Sequence, residues 1–295
     1  MKSKTDKILL IVSFLFMLVG VGIFLYPTVS NYFAIKNQTT AIRTYDEKIE
    51  ESNEEELKEE LEKAKEYNEN LAGDPVHDPF VEGSGYALPE NYKEVLNITE
   101  DGIMAYIEIP KISVYLPIYH GTSEEVLQKG VGHIESTSLP IGGTSTHSVL
   151  TGHTGLPSAE LFTKIDELVV GDFFYIHVLD QLLTYVVYET KVILPDEIDE
   201  LQITNGEDYI TLVTCTPYGV NTHRLLVKAK RSEYMEYTKI GLTENSQGDT
   251  TPKHKNYYLR GTLIGIPIFI ITIIILGIII KVIRNKRGGK HEEKK

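Results

Sequence analysis

The chain has 295 residues, 42% of them hydrophobic and 24% charged. That suits one large or two modest folded domains and excludes wholesale disorder, collagen-like sequence and repeat architectures. The formal charge of −13 is carried by the middle of the chain, since both ends are basic. So acidic a middle would repel phosphate backbones, which argues against nucleic-acid binding.

Residues 1–7 carry Lys2, Lys4 and Lys7 against Asp6 and read as a cytoplasmic tail. Ile8 to Tyr26 is an uncharged run close to the ~20 residues that cross a ~30 Å hydrocarbon layer as a helix. Its apolar core is longer than a cleavable signal peptide needs, and no convincing A-x-A site follows, so 8–26 is expected to be a transmembrane signal-anchor. Residues 27–72 form an extracellular helical region. Within it, 36–72 is expected to be one helix, with Tyr45, Ile49, Leu57, Leu61, Ala64 and Leu71 on a thin apolar stripe. The acidic stretch Glu47 to Glu69 is its solvated face, and the stripe predicts packing on a larger body.

Residues 73–85, with two Asp-Pro pairs and several glycines, read as an ordered loop or flap, or as plain linker. From about Met104 the texture changes to short segments rich in Val, Ile, Tyr, Phe and Thr: AYIEIP, VYLPIY, SVLTGH, FFYIHVL, LTYVVYETKVIL, YITLVTC and RLLVKAKR. A helix opening at Pro157, with Leu161, Phe162, Ile165 and Leu168 on its apolar face, is expected to interrupt them. Many short strands with one or two helices predict a mainly β domain over 86–235, a closed or nearly closed barrel. A juxtamembrane linker at 236–260 leads to a second uncharged run, Gly261 to Ile280, expected to be a transmembrane helix that tolerates Pro267. Residues 281–295 are rich in Lys and Arg. Short basic flanks stay inside, so both termini are expected in the cytoplasm and 27–260 outside.

The only cysteine is Cys215, in a segment expected to be extracellular. It has no intramolecular disulfide partner, so it is either a small buried hydrophobe or a working thiol. Alternation puts Thr211, Val213 and Cys215 on one strand face, and Pro217 stops the strand just beyond. Arg224 opens the next strand, and a turn would return it to the same rim. A fixed positive charge there favours a thiolate or a developing oxyanion; alternatively it is a surface arginine. A thiol nucleophile also needs an acid–base partner. Of the nine histidines, His153 is best placed, ending a β-branched strand between Gly152 and Gly155 where a substrate approaches closely. His147 and His177 fall within strands, His77 and His254 in loops, and His223 points away from Arg224.

Taken together, TLVTC (211–215), Arg224 in NTHRLLV and His153 in TGHTGLPSAELF resemble the sortase family of Gram-positive transpeptidases. The resemblance is to class C, the pilus-building sortases, and extends to 105–143, to 216–231 and to the paired membrane segments. It implies an eight-stranded sortase-type β-barrel and a cysteine transpeptidase that recognises an LPxTG-like sorting signal on pilin precursors. Cys215 would attack the Thr–Gly carbonyl, His153 would protonate the leaving amine and deprotonate the incoming one, and Arg224 would hold the oxyanion. The acceptor would be a lysine on another pilin, joined by an isopeptide bond. Class C enzymes also resemble one another in a lid with an Asp-Pro-aromatic motif, and Asp78-Pro79-Phe80 matches it. Asp78 would pair with Arg224 and Phe80 would lie against the Cys215 sulfur. Asp74-Pro75-Val76 lacks the aromatic. No cofactor and no metal site is expected. The alternatives are a cell-wall-anchoring sortase, a caspase-like or papain-like peptidase, whose QACxG and cysteine contexts are absent, and a membrane-tethered binding module in which Cys215 is core.

Overall fold

The computed structural model describes residues 4–71, 91–233, 242–245 and 249–252. The expected lid with Asp78 and Phe80, the second membrane segment at 261–280 and the basic tail at 281–295 lie outside the described residues. Two units are distinguished, one comprising Met1–Thr28 with His254–Lys295, the other Val29–Lys253.

The described part of the first unit is the start of helix α1 (Lys4–Glu51). Among the described residues this is the one helix long and apolar enough to cross a membrane. Phe14, Phe16, Val19 and Ile23 are exposed along it, as suits a helix whose solvent is lipid.

In the second unit, helix α2 (Glu54–Asn70) follows α1 after a break. The single helix expected over 36–72 is therefore two helices, and the cause is local. The Asn53 Oδ1 accepts from the Glu56 amide at 2.9 Å, and the Asn53 amide donates back to the Glu56 carboxylate at 3.2 Å. This capping box ends one helix by starting another. Glu54, Glu55 and Glu56 then place negative charge at the positive end of the helix dipole.

Eight strands close a barrel: β1 (Ile103–Ile109), β2 (Val114–His120), β3 (Val131–His133), β4 (Thr146–Thr151), β5 (Phe173–Val178), β6 (Gln181–Ile193), β7 (Asp208–Thr216) and β8 (His223–Arg231). Their order around it is β1-β2-β3-β4-β7-β8-β6-β5. The β2–β3 and β4–β7 pairs are parallel. A parallel neighbour cannot be reached by a tight turn, so helix α3 (Glu124–Lys129) carries the chain from β2 to β3, and the β5–β6 hairpin lies between β4 and β7. The three-residue β3 is the strand that the sequence pattern misses.

The expected helix from Pro157 does not form. Residues there run in turns to a 3-10 helix at Ile165–Glu167. Leu161 sits at φ +40, and the Phe162 amide donates to the His153 carbonyl at 3.1 Å instead of to the preceding turn. Leu161, Phe162, Ile165 and Leu168 are nonetheless all buried, so the apolar spacing marked burial and not helix. A small antiparallel sheet, β9 (Leu242–Asn245) with β10 (Asp249–Pro252), lies in the stretch read as linker.

Strand alternation sorts the core. Ile107, Ile118, Leu150, Ile176, Leu212 and Val227 belong to the main cluster, which Leu57, Ala64 and Tyr67 of α2 and Leu71 just after it join; the thin stripe of α2 does pack on the larger body. Full burial of each large apolar side chain contributes roughly 1.5–3 kcal/mol. Val149, Val213 and Leu226 face the other way and pack with Ile134, Ile193 and Leu201 in a second cluster. Ile42 and Tyr45 of α1 pack on Ile103 and Tyr106. The Tyr45 hydroxyl donates to the Met104 carbonyl at 3.2 Å and accepts from the Leu179 amide at 2.8 Å.

Candidate active site

The site forms where three strand ends converge. Cys215 and Arg224 are Cα partners in the antiparallel β7–β8 ladder, and directly opposed residues present their side chains to the same face. In the parallel β4–β7 pair the register ends at Thr151 with Val213. His153 and Cys215 each lie two residues further on. Two residues is one strand period, so Thr151, His153, Val213, Cys215, Leu226 and Arg224 share a parity, that of the second apolar cluster. Cys215 and Arg224 thus share one sheet face near the end of β7, and His153 lies just past the end of the adjacent β4.

Hydrogen bonds carry the β4–β7 register past the formal end of β4. The Gly152 amide donates to the Val213 carbonyl at 3.1 Å, and the Thr151 hydroxyl to the same carbonyl at 3.3 Å. The buried Thr214 hydroxyl donates to the Gly152 carbonyl at 2.7 Å. The His153 carbonyl accepts from Phe162, and the Gly155 amide donates to Thr163 Oγ1 at 3.0 Å. The backbone on both sides of the imidazole is therefore fixed.

The flanking glycines serve the protein's own rings. A Cβ at Gly152 would lie 2.9 Å from the Phe162 ring, and one at Gly155, where φ is +71, 2.9 Å from Tyr218. The sequence reading assigned this room to substrate; in the structure Phe162 and Tyr218 occupy it.

Cys215 is half-buried. Arg224 is only 7% exposed, and its Nη1 donates to the carbonyls of Asn221 at 3.3 Å and His223 at 3.2 Å. A charge so placed is held by the β7–β8 turn, whose Val220 and Asn221 amides both donate to the Pro217 carbonyl at 3.0 Å. Arg224 is thus not a surface arginine. His153 Nε2 lies 3.5 Å from a carboxylate oxygen of Glu124, at the start of α3. Sequence reasoning did not single out Glu124, Thr214 or Tyr218.

The connection between β6 and β7 (residues 194–207) lies beside this face and puts Leu201 into the second cluster. It is clamped by Glu200, which accepts from Lys191 Nζ at 2.5 Å and Lys228 Nζ at 2.9 Å. Those two bonds, Lys191 first, pull the Glu200 carboxyl down to about 2.

The other described histidines have separate partners. His133 Nε2 donates to the Ser138 carbonyl at 2.9 Å, leaving Nδ1 to accept from the Tyr92 hydroxyl at 3.0 Å. His147, in β4, donates from Nδ1 to the Gln202 carbonyl at 2.9 Å and accepts from Thr211 Oγ1 at 2.7 Å. Burial pushes His133 down to about 3 and His147 down to about 4. His177, in β5, faces Glu108 at 3.0 Å. His223 contacts Thr222 Oγ1 at 2.9 Å. His77 and His254 lie outside the described residues. Among the described residues no group of three His, Cys, Asp or Glu side chains is arranged to hold a metal ion.

Comparison with known proteins bears on the fold and the family. The profile of the sortase domain matches residues 107–232. Sortase C1 of Streptococcus agalactiae is 44% identical, with a TM-score of 0.61 over 67% of this chain and 96% of that one. Sortase C-1 of Actinomyces oris is 49% identical, with a TM-score of 0.57 over 60% of this chain and 98% of that one. Sortase D of Bacillus subtilis (strain 168) is 30% identical over 128 residues, 42% of this chain, and the match spans 62% of that protein's length, less than two thirds.

Proposed function

The chain belongs to the sortase family, and on that premise we propose that it is a membrane-anchored extracellular cysteine transpeptidase of class C. It cleaves an LPxTG-like sorting signal between Thr and Gly and joins pilin subunits through a lysine isopeptide bond. The observation that carries the reading is the pairing of Cys215 with Arg224 across the β7–β8 ladder, with His153 in the turn that leaves the neighbouring strand β4. The 44% and 49% identity to sortase C1 and C-1 enzymes supports the pilus-building class.

In the first half-reaction the Cys215 thiolate adds to the threonine carbonyl carbon, and the displaced π electrons go to the oxygen. The Arg224 guanidinium, held on the same face, stabilises that oxyanion, and a fixed cation beside the sulfur also favours the thiolate. The C–N bond then breaks as His153 gives a proton to the departing glycine amine, leaving a thioester. In the second half-reaction a pilin lysine amine adds to the thioester and His153 takes a proton from it. The C–S bond breaks and the thiolate is restored. A thioester keeps much of the acyl-transfer potential of the cleaved peptide bond, so no ATP is needed outside the cell.

Helix α1 serves as the membrane anchor, with the second anchor at 261–280, both termini cytoplasmic and Asp78 and Phe80 in a lid over the cleft. Tethering raises the effective concentration of enzyme and freshly secreted pilin for one another.

The test is to incubate the full chain in nanodiscs with purified pilin and search by mass spectrometry for a Thr-to-Lys isopeptide, which Cys215→Ala should abolish. Release of hydrolysed product alone, with amine acceptor abundant, would instead indicate a peptidase. Attachment to a cell-wall amine in preference to pilin lysine would indicate a wall-anchoring enzyme.

A further inference from the structure

Building on the transpeptidase reading above, we propose that Asn31 of α1 is a positioning residue for His153, acting through the turn that follows the histidine. The packed stripe of α1 runs through Asn31, Ala34, Gln38, Ile42 and Tyr45, at the three- and four-residue spacing of one helix face. Ala34 packs against the main core cluster, and Ile42 and Tyr45 against Ile103 and Tyr106. Asn31 and Gln38 interrupt this apolar stripe with carboxamides, yet they are only 5% and 6% exposed. A polar side chain so buried costs free energy unless it is hydrogen-bonded. Each therefore marks a place where α1 is held to something specific.

Gln38 Nε2 donates to the Lys129 carbonyl, at the end of α3, at 3.0 Å. Asn31 Oδ1 accepts from the Glu160 amide at 2.9 Å, a bond between residues 129 apart in the chain. The two carboxamides stand about two helical turns apart on one face. Gln38 thus fixes the rotation of α1, and Asn31 passes that fixed reference to the turn at Glu160. From there the bonds run to the histidine. The Glu160 carbonyl accepts from the Thr163 amide at 2.9 Å, and Thr163 Oγ1 accepts from the Gly155 amide at 3.0 Å. The Phe162 amide donates to the His153 carbonyl at 3.1 Å. Asn31 is the group outside the turn that enters this network.

The turn needs such a hold. Leu161 sits at φ +40, a left-handed conformation that strains any residue but glycine and persists only where the surroundings impose it. Burial of its side chain and of Phe162 grips the turn from one side, and the Glu160 amide, directly before the strained residue, is gripped by Asn31. Releasing that amide lets Leu161 relax toward an ordinary conformation. The Phe162 amide moves with it and loosens its hold on the His153 carbonyl. A misplacement of about 1 Å in a catalytic group can cost ~10²-fold in rate. A loosened turn is displaced for only part of the time, which sets the expected loss at about tenfold. Asn31 touches no substrate, so the loss falls on kcat and leaves KM alone.

The experiment uses the full chain in nanodiscs with an LPxTG-like peptide and an amine acceptor. Asn31→Leu keeps the stripe filled and removes the acceptor; it should lower kcat about tenfold with KM within about twofold. Asn31→Asp keeps an acceptor oxygen and should stay within about threefold of wild type. Amide hydrogen exchange followed by mass spectrometry gives the second readout. In Asn31→Leu the segment 153–163 should exchange at least about tenfold faster while β7 and β8 exchange as in wild type. Unchanged kcat in Asn31→Leu, an equal loss in Asn31→Asp, or exchange quickened alike in β7 and β8, as simple destabilisation would give, overturns the proposal. Persistence of turnover in His153→Ala would instead overturn the transpeptidase reading, while exchange over 153–163 still decides whether Asn31 holds the turn.

Discussion

The Thr214 hydroxyl donates to the Gly152 carbonyl at 2.7 Å, tying the residue before the nucleophile to the residue before the histidine. Thr214 is buried at 3% exposure, so its loss leaves a buried carbonyl without its donor. Thr214→Val should cost about 1–3 kcal/mol of stability in urea unfolding. It should also lower kcat about tenfold with little change in KM, because the sulfur and the imidazole lose their common reference.

Arg224 carries a planar fork whose Nη1 serves two carbonyls of its own turn. Lysine supplies the charge without the fork. Arg224→Lys is therefore expected to reduce turnover of an LPxTG-like peptide at least about 100-fold, the scale of losing an oxyanion donor. Circular dichroism should show the barrel intact. Near wild-type kcat/KM would remove the oxyanion role.

Gly155 meets two obstacles to any side chain, a φ of +71 and the Tyr218 ring. Gly155→Ala should destabilise by about 1–2 kcal/mol and slow acylation of Cys215, followed by mass spectrometry. Adding Tyr218→Ala removes the steric part only, so the double variant should recover part of the loss. Strictly additive effects would show that the ring does not press on the turn.

His133 and His147 make the protein acid-sensitive. Burial holds them at about 3 and about 4, against 6.5 for an ordinary histidine. Below pH 6.5 the unfolded chain takes up protons that the folded chain refuses, so stability is fully present above that pH and is lost as pH falls toward 4 and 3. At pH 5 each histidine should cost roughly 2 kcal/mol. Urea midpoints at pH 7 and pH 5 check the fall, and His147→Asn should flatten the slope by about one proton.

Phe80 is proposed to cover the Cys215 sulfur. Phe80→Ala should then speed alkylation of Cys215 by a small thiol reagent, read as a rate in the intact chain. An unchanged rate would remove the lid assignment.

The barrel was legible because its long strands alternate and end in turn residues, and the positions of Cys215, Arg224 and His153 because each lies within two residues of the end of such a strand. β3 was not, since a strand as short as Val131–His133 with a central glycine has no period to detect. The break at Asn53 was legible but overlooked: Asn53 and Glu56 stand at capping-box spacing inside a run whose apolar stripe continues across them. The segment after Pro157 misled because Leu161, Phe162, Ile165 and Leu168 are buried for reasons of tertiary packing while Leu161 adopts a left-handed backbone. Glu124 was hidden for a different reason. An acidic residue beginning a short helix is ordinary, and only its nearness to His153 distinguishes it.

Because β4 pairs with β7 only across the intervening hairpin, the histidine turn and the cysteine strand that it serves are separated by 62 residues of chain. The histidine turn is made before the strand that carries the thiol, and neither meets the other until β4 and β7 pair. The proposed chemistry therefore waits on a long-range strand pairing and is not written into any local motif.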